Sequence, residues 1–354
     1  MKKKQTSKSN TKYAFTTIFS LLFFLYFLSS CENSTEPIKI DEPGSREYTW
    51  SADTLTRGGS YIWGSSENNV LIVGDGSLLW NYNGEKWQHS EPNVWGENSL
   101  FGLQQNDVWI GGSQGRIWHY DGNSWSVNYI YSKDSSSFIV ITDIWGTDRE
   151  NLMAVGIDFS PEKERGFILK YNGSDWKEVY YADYNSYFHK IYSQYKSKST
   201  YYILGYKRNI SSGVDTTTIL KYDNNEILEI YSKPNSEIMG SSYLSLVDDK
   251  IYFGAGNNFY NIISDTLYKF LSVDNVNSYS AIIGGRNQND LFLAMRDGFM
   301  HYNGSDTKYL FYLEDNVHPF GNAVVVGNTV FLMTQTSINN MSTNIIYKGV
   351  LKAK

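Results

Sequence analysis

The chain has a single cysteine in 354 residues, only six prolines and five histidines. One cysteine excludes an intramolecular disulfide, a thiolate metal cluster and any catalytic thiol other than Cys31 itself, so the fold must stand on its core. The histidines, His89, His119, His189, His301 and His318, form no HExxH or His-x-His pattern and have no clustered carboxylates beside them, so no metal or cofactor is expected. No nucleophile elbow, phosphate-binding glycine loop or dinucleotide fingerprint occurs in the strand-to-helix setting that each needs. After residue 30 no apolar stripe recurs at the 3.6-residue period of a helix. Those absences leave an all-β chain whose chemistry, if it has any, is scattered.

The first thirty residues stand apart. Lys2, Lys3, Lys4, Lys8 and Lys12 precede an apolar run over residues 14–28, and no acidic residue occurs before Cys31. About fifteen residues are too few to span a bilayer and suit an export signal. The run ends in Leu28-Ser29-Ser30-Cys31, which resembles the lipobox of bacterial lipoproteins. The resemblance implies cleavage before Cys31, a diacylglycerol on its thiol, and a lipid-anchored protein of the bacterial cell envelope. Removing residues 1–30 takes five lysines and no acid from the 31 basic and 37 acidic residues, leaving 26 against 37 and a net charge of −11. Such a surface disfavours nucleic acid. Residues 31–46 carry the lipidated cysteine and a segment with Pro37, Pro43, Gly44 and several acids, the composition of a tether. Residues 47–354 are expected to be one β domain.

That domain repeats itself. Segments 62–87, 100–125 and 144–176 align closely, and 191–227, 246–270, 282–307 and 323–349 are more worn copies. Each reads as short apolar runs separated by polar turns, with one run ending on Tyr82, Tyr120, Tyr171, Tyr222, Tyr302 or Tyr347. Asn83-Gly84, Asp121-Gly122, Asn172-Gly173, Asp223-Asn224, Asn303-Gly304 or Lys348-Gly349 follow at once, and Asn-Gly or Asp-Gly predicts a two-residue type I′ hairpin. Four antiparallel strands repeated every 38 to 50 residues match the blade of a β-propeller. The expectation is seven four-stranded blades, the ring closed by an N-terminal strand (residues 47–53) supplying the outer strand of the last blade.

Asn106-Asp107-Val108-Trp109-Ile110-Gly111-Gly112 and Ile117-Trp118-His119-Tyr120-Asp121-Gly122-Asn123-Ser124-Trp125 carry a further resemblance. They are similar to bacterial propellers whose repeats read NDVW-x-GG and HYDG-x-x-W, including the two-component-regulator type and similar extracytoplasmic propellers. The resemblance covers residues 47–350 as architecture and the first three units closely, and it implies fold rather than activity. His119 and His301 occupy the same place in two units, which marks them as packing residues. Asp121 departs from the Asp-box of sialidases, because Gly122 follows it directly and the preceding serine is absent.

Loop asymmetry remains. Residues 158–166 and 207–217, and the tyrosine-rich connection 180–189, are longer than their counterparts, and long loops in compact folds are disproportionately functional. Phe159, Glu162, Arg165, Tyr181, Tyr184 and Tyr187 are the candidate binding residues, since tyrosine offers an apolar face with a hydroxyl. The expected function is a monomeric, non-catalytic binding or scaffolding module for an envelope protein or glycan, tethered through lipid on Cys31. The alternative is a hydrolase or lyase acting on polysaccharide. An outer strand at residues 47–53 begins on the face of the Asn-Gly turns, so the long loops are expected to point away from the membrane.

Overall fold

A computed structural model describes residues 43–354 apart from 75, 135–136, 161–162, 184, 198, 210, 239–240, 274–280, 340 and 353–354. The export signal, Cys31 and the tether up to residue 42 lie outside the described residues. Strand β1 (Tyr48–Thr56) precedes a meander of β2 (Tyr61–Ser66), β3 (Asn69–Gly74), β4 (Leu78–Tyr82) and β5 (Trp87–Ser90). A second meander holds β6 (Phe101–Gln104), β7 (Asp107–Gly111), β8 (Arg116–Tyr120) and β9 (Trp125–Ile130). Eight strands then share one sheet: β10 (Phe138–Gly146), β11 (Leu152–Ser160), β12 (Lys163–Tyr171), β13 (Trp176–Tyr181), β14 (Ser186–Tyr192), β15 (Thr200–Lys207), β16 (Thr216–Asp223) and β17 (Glu226–Pro234).

Two further meanders follow. The first is β18 (Ser242–Val247), β19 (Lys250–Ala255), β20 (Asn258–Ile263) and β21 (Thr266–Ser272). The second is β22 (Ala281–Asn287), β23 (Asp290–Met295), β24 (Gly298–Tyr302) and β25 (Thr307–Tyr312). The last sheet joins β26 (His318–Pro319), β27 (Val324–Val326), β28 (Thr329–Ile338) and β29 (Met341–Leu351) to β1. Among the described residues the only helical element is a 3-10 turn at Asn235–Glu237.

The expectation of seven separate four-stranded blades is corrected. The described strands form six hydrogen-bonded sheets, of which four have four strands, one has five and one has eight. The eight-stranded sheet exists because β12 and β14 meet in parallel at Arg165 and Ser186, just beyond the point where the Ala182 amide donates to the Gly166 carbonyl at 2.8 Å and ends the β12–β13 ladder. Gly166 permits that approach: a Cβ there would lie 2.8 Å from the Phe188 ring. In the five-stranded sheet the inner strand is broken into β26 and β27, both paired with β28.

Burial explains why the strands stand side by side. Every residue of β3 and β7 is buried, and the apolar ones face clusters shared between neighbouring sheets. Val73 packs with Ile110 and Trp118, Trp109 with Leu152 and Phe167, and Phe292 with Val330 and Leu332. The last sheet meets the first through Phe331 and Met333 against Ile72 and Trp80. The core is therefore a circle of layers between sheets, each favoured by apolar area removed from water.

The N-terminal strand pairs antiparallel with β29 along all nine residues from Tyr48 to Thr56. Tyr48 and Leu55 are buried, and the Trp50 ring lies against Gly349, where a Cβ would come within 2.6 Å of it. Lys348-Gly349 is thus strand interior and no turn. The Asn-Gly corners also differ from a two-residue hairpin. Asn83, Asp121, Asn172 and Asn303 each accept two backbone amides through the side-chain oxygen, from the residues two and three further on, and close a four-residue loop. Only the glycine takes positive φ, +97° at Gly84 and Gly122, and the tyrosine hydroxyl before the corner donates to that glycine's carbonyl at 2.8 to 2.9 Å in Tyr82, Tyr120 and Tyr302. Two-residue turns with both φ positive occur instead at Asn224-Asn225, Asp248-Asp249 and Ser264-Asp265.

Candidate functional site

The long connections turn out to be mostly strand. Residues 158–166 belong to an extended β11–β12 hairpin paired to Ser160 and Lys163, and only residues 182–185 connect β13 to β14. The segment after β15 is a loop of residues 208–215. These strand ends project from one rim of the eight-stranded sheet, and that rim collects the expected site residues. Glu162 and Tyr184 lie outside the described residues.

Phe159 is 38% exposed near the tip of β11, its ring 6.3 Å from that of Phe138. Tyr181, at the end of β13, donates its hydroxyl to Asp158 at 2.6 Å and carries cations on its ring, Lys133 at 4.2 Å and Arg165 at 5.2 Å. Asp158 is buried, and its second oxygen has no partner. Tyr187, on β14, donates to Asp215 at 2.7 Å, stacks on Tyr206 and lies under Arg208. Arg208 also bonds Glu164 at 2.7 Å. Phe159, Arg165 and Tyr181 are therefore grouped on the neighbouring strands β11, β12 and β13, and Tyr187 is joined to them through Arg208 and Glu164. Burial and the bonds to carboxylates push both tyrosine hydroxyls above their ordinary value, so they stay neutral donors.

Sequence reasoning missed a polar belt inside the channel bounded by the inner strands. Lys190 of β14 bonds Asp143 of β10 at 3.0 Å, and the other Asp143 oxygen accepts the Ile191 amide at 3.0 Å. Tyr243 of β18 donates to Asn322, and Lys190 lies 5.9 Å from the Tyr192 ring. A cavity of about 290 Å³ borders Asp143, Lys190, Tyr192, Tyr195 and Asn322. Burial works against the Lys190 ammonium, but the attraction of Asp143 outweighs it and holds Lys190 well above its ordinary range. Burial raises the Asp143 carboxyl. The signal was present in the spacing: Asp143 and Lys190 are 47 residues apart, one repeat length.

Two histidines bond aspartates at the equivalent place in two sheets. His119 bonds Asp107 at 2.8 Å and stacks on Trp109, while Arg149 takes the second Asp107 oxygen. His301, fully buried, bonds Asp290 at 2.5 Å, and Arg286 bonds Asp290 at 2.6 Å and the Tyr48 hydroxyl at 2.8 Å. Among the described residues no group of three or more His, Cys, Asp and Glu is placed to hold a metal.

No family model matches the chain, and no curated protein matches it. Solved structures do. YCF48 bound to a D1 peptide superposes with a TM-score of 0.57 at 15% identity, over 88% of this chain and 99% of that one. The fold is a β-propeller. BBS1N in complex with ARL6DN gives 0.55 at 13% identity over 87% of this chain and 98% of that one. The β-propeller domain of Myceliophteria thermophila Cps50 (Swd1) gives 0.57 at 10% identity, over 84% and 99%. At these identities the likeness is one of fold.

Proposed function

We propose that the chain is an exported lipoprotein of the bacterial cell envelope, lipidated on Cys31, whose propeller is a non-catalytic module that docks a protein or a glycan. The observation that carries the reading is the separation of two faces. Gly44 donates its amide to the Asn303 carbonyl at 3.0 Å, and Arg46 bonds the Asp306 carboxylate and carbonyl at 2.6 Å. The segment arriving from the tether is thus fastened to a corner turn. The Phe159, Arg165, Tyr181 and Tyr187 rim lies at the other end of the strands, since β12 runs nine residues from that rim to the equivalent corner at Asn172, about 30 Å. A lipid on Cys31 would turn the rim outward from the membrane.

The rim's chemistry supports binding. Its carboxylates Asp158 and Asp215 are engaged by tyrosine hydroxyls, and Phe159 stands exposed beside them. The propellers YCF48 and BBS1N are seen with a D1 peptide and with ARL6DN, which supports a protein partner. The motifs Asn106 to Gly112 and Ile117 to Trp125 support the extracytoplasmic repeat type. The test is crosslinking and capture with the full acylated protein. Tyr181→Ala and Tyr187→Ala together are expected to abolish the captured species, and Cys31→Ser to move the protein out of the membrane fraction. Unchanged capture by the double variant would refute the rim as the docking face.

A further inference from the structure

A second cavity opens on the same face as the rim, among the five- and four-stranded sheets that follow the eight-stranded one. It has a volume of about 550 Å³ and is bounded by Tyr243, Ile283, Met295, Arg296, His318 and Phe320. Arg296 stands in the turn between β23 and β24, at the strand ends that correspond to Ser160 and Lys163 in the β11–β12 pair. The walls are largely apolar: Ile283 and Met295 are buried, and Ala281, Ala294 and Pro319 complete them.

Three polar side chains around this cavity are engaged, and its one guanidinium is not. Tyr243 donates its hydroxyl to Asn322. His318 shares its Nδ1 with the Arg296 carbonyl at 3.4 Å, and Asp297 accepts the Tyr309 hydroxyl at 2.7 Å. The Arg296 guanidinium has no carboxylate or hydrogen-bond acceptor among the described residues, unlike Lys190 in the channel. On a chain with 37 acidic against 31 basic residues, an uncommitted cation beside an apolar cavity selects for an anion that the rest of the surface repels. Guanidinium and carboxylate match as a two-point pair, so the anion best suited is a carboxylate.

We propose that this cavity binds an apolar side chain followed by a carboxylate in a protein partner. The side chain enters between Ile283, Met295 and Phe320, and the carboxylate lies on Arg296. A free carboxy terminus and an Asp or Glu next to an apolar residue share this chemistry. The site is separate from the Tyr181 and Tyr187 rim and does not rest on it.

The experiment titrates the full protein with dansyl-Leu-Phe as the free acid, as the carboxy-terminal amide, and as dansyl-Leu-Phe-Glu-amide, with decanoate as competitor. The free acid or the glutamyl peptide is expected to bind at least about tenfold more tightly than the amide, with a Kd below about 1 mM. Whichever of the two binds tighter identifies the source of the carboxylate. Arg296→Met removes the difference, and Ala281→Trp, which fills the cavity, removes binding of every peptide while the melting temperature holds. The Tyr181→Ala and Tyr187→Ala variants leave the titration unchanged, so failure of the rim reading is told apart from failure of this one. Equal binding of acid and amide, displacement by decanoate at lower concentration than the peptides need, or no saturable binding overturns the proposal.

Discussion

Replacing Asp290 by alanine should cost far more stability than the same change at Asp107, although both aspartates hold a histidine at the equivalent strand position. Asp290 bonds His301, whose side chain is 0% exposed, and Arg286, 20% exposed. Removing it strands the buried His301, takes one acceptor from the half-buried Arg286 and loosens Arg286 from Tyr48, the link to the N-terminal strand. Breaking one side of a buried pair costs about 3–5 kcal/mol. Asp107 is as deeply buried and also accepts the buried Trp109 indole N–H at 2.9 Å, but its charged partner Arg149 is 57% exposed and can turn to water, and His119 is 17% exposed. That loss falls nearer about 1.5–3 kcal/mol, the range for a hydrogen bond to a charged group. At about 2–4 °C per kcal/mol for a large domain, Asp290→Ala should lower the melting temperature by about 6 °C or more. Scanning calorimetry or thermal circular dichroism at neutral pH reads it. The sign with pH follows from the same contacts. Burial alone would raise the Asp290 carboxyl, but the bonds from His301 and Arg286 hold it below its ordinary value. Its stabilisation is present above the unfolded-state pKa of about 3.9 and lost as pH falls through the lower folded value. The gap between the native protein and Asp290→Asn should therefore narrow below about pH 4. An Asp107→Ala penalty equal to or larger than that of Asp290→Ala would refute the argument.

Deleting residues 43–56 removes the nine-residue pairing with β29 and exposes what Tyr48 and Leu55 cover; at about 1.5–3 kcal/mol for each buried side chain, the melting temperature should fall by at least about 6 °C, and an unchanged melt would show the strand to be dispensable. Lys190→Met leaves Asp143 buried without its cation and should cost about 3–5 kcal/mol, whereas Asp143→Leu with Lys190→Met should recover most of it in equilibrium denaturation. Gly166→Ala places a methyl 2.8 Å from the Phe188 ring of β14 and should destabilise by about 1–3 kcal/mol, with amide exchange accelerating first at Ala182, which donates to the Gly166 carbonyl at the end of the β12–β13 ladder.

Local chemistry was legible in the sequence, and geometry between units was not. Tyr120-Asp121-Gly122 marked a corner because an acceptor side chain followed by glycine is a local signal. Its class was misread because Asp121 spends its oxygen on the amides of Asn123 and Ser124, which closes a four-residue loop and leaves positive φ to Gly122 alone. His119 and His301 were legible as packing residues from their repeated position, and their aspartate partners sit at the start of the preceding strand. The joining of β12 to β14 depends on how closely two backbones approach at Gly166, which no spacing encodes. Residues 158–166 looked like a loop because they are longer than the tight turns of the other units, yet β11 and β12 carry their pairing out to Ser160 and Lys163. Arg296 was illegible as a site because its cavity is assembled from elements more than fifty residues apart.

The two faces of the molecule differ in what holds them, and that difference orders the functional reading. On the corner face Asn83, Asp121, Asn172 and Asn303 close the same loop in four places, so each turn is fixed by its own side chain. On the rim face no such repeat exists among the described residues. The turns there differ in length, and their order comes from side chains reaching between neighbours, as Arg208 does to Glu164 and Tyr187. Interactions of that kind can be exchanged for a partner's without unfolding a turn, because the backbone beneath is already paired to Ser160 and Lys163. A docking surface needs groups that are ordered but replaceable, set on a rigid support. The rim and the Arg296 cavity meet that condition, and both lie on the face that the fastening of Gly44 and Arg46 to Asn303 and Asp306 leaves open.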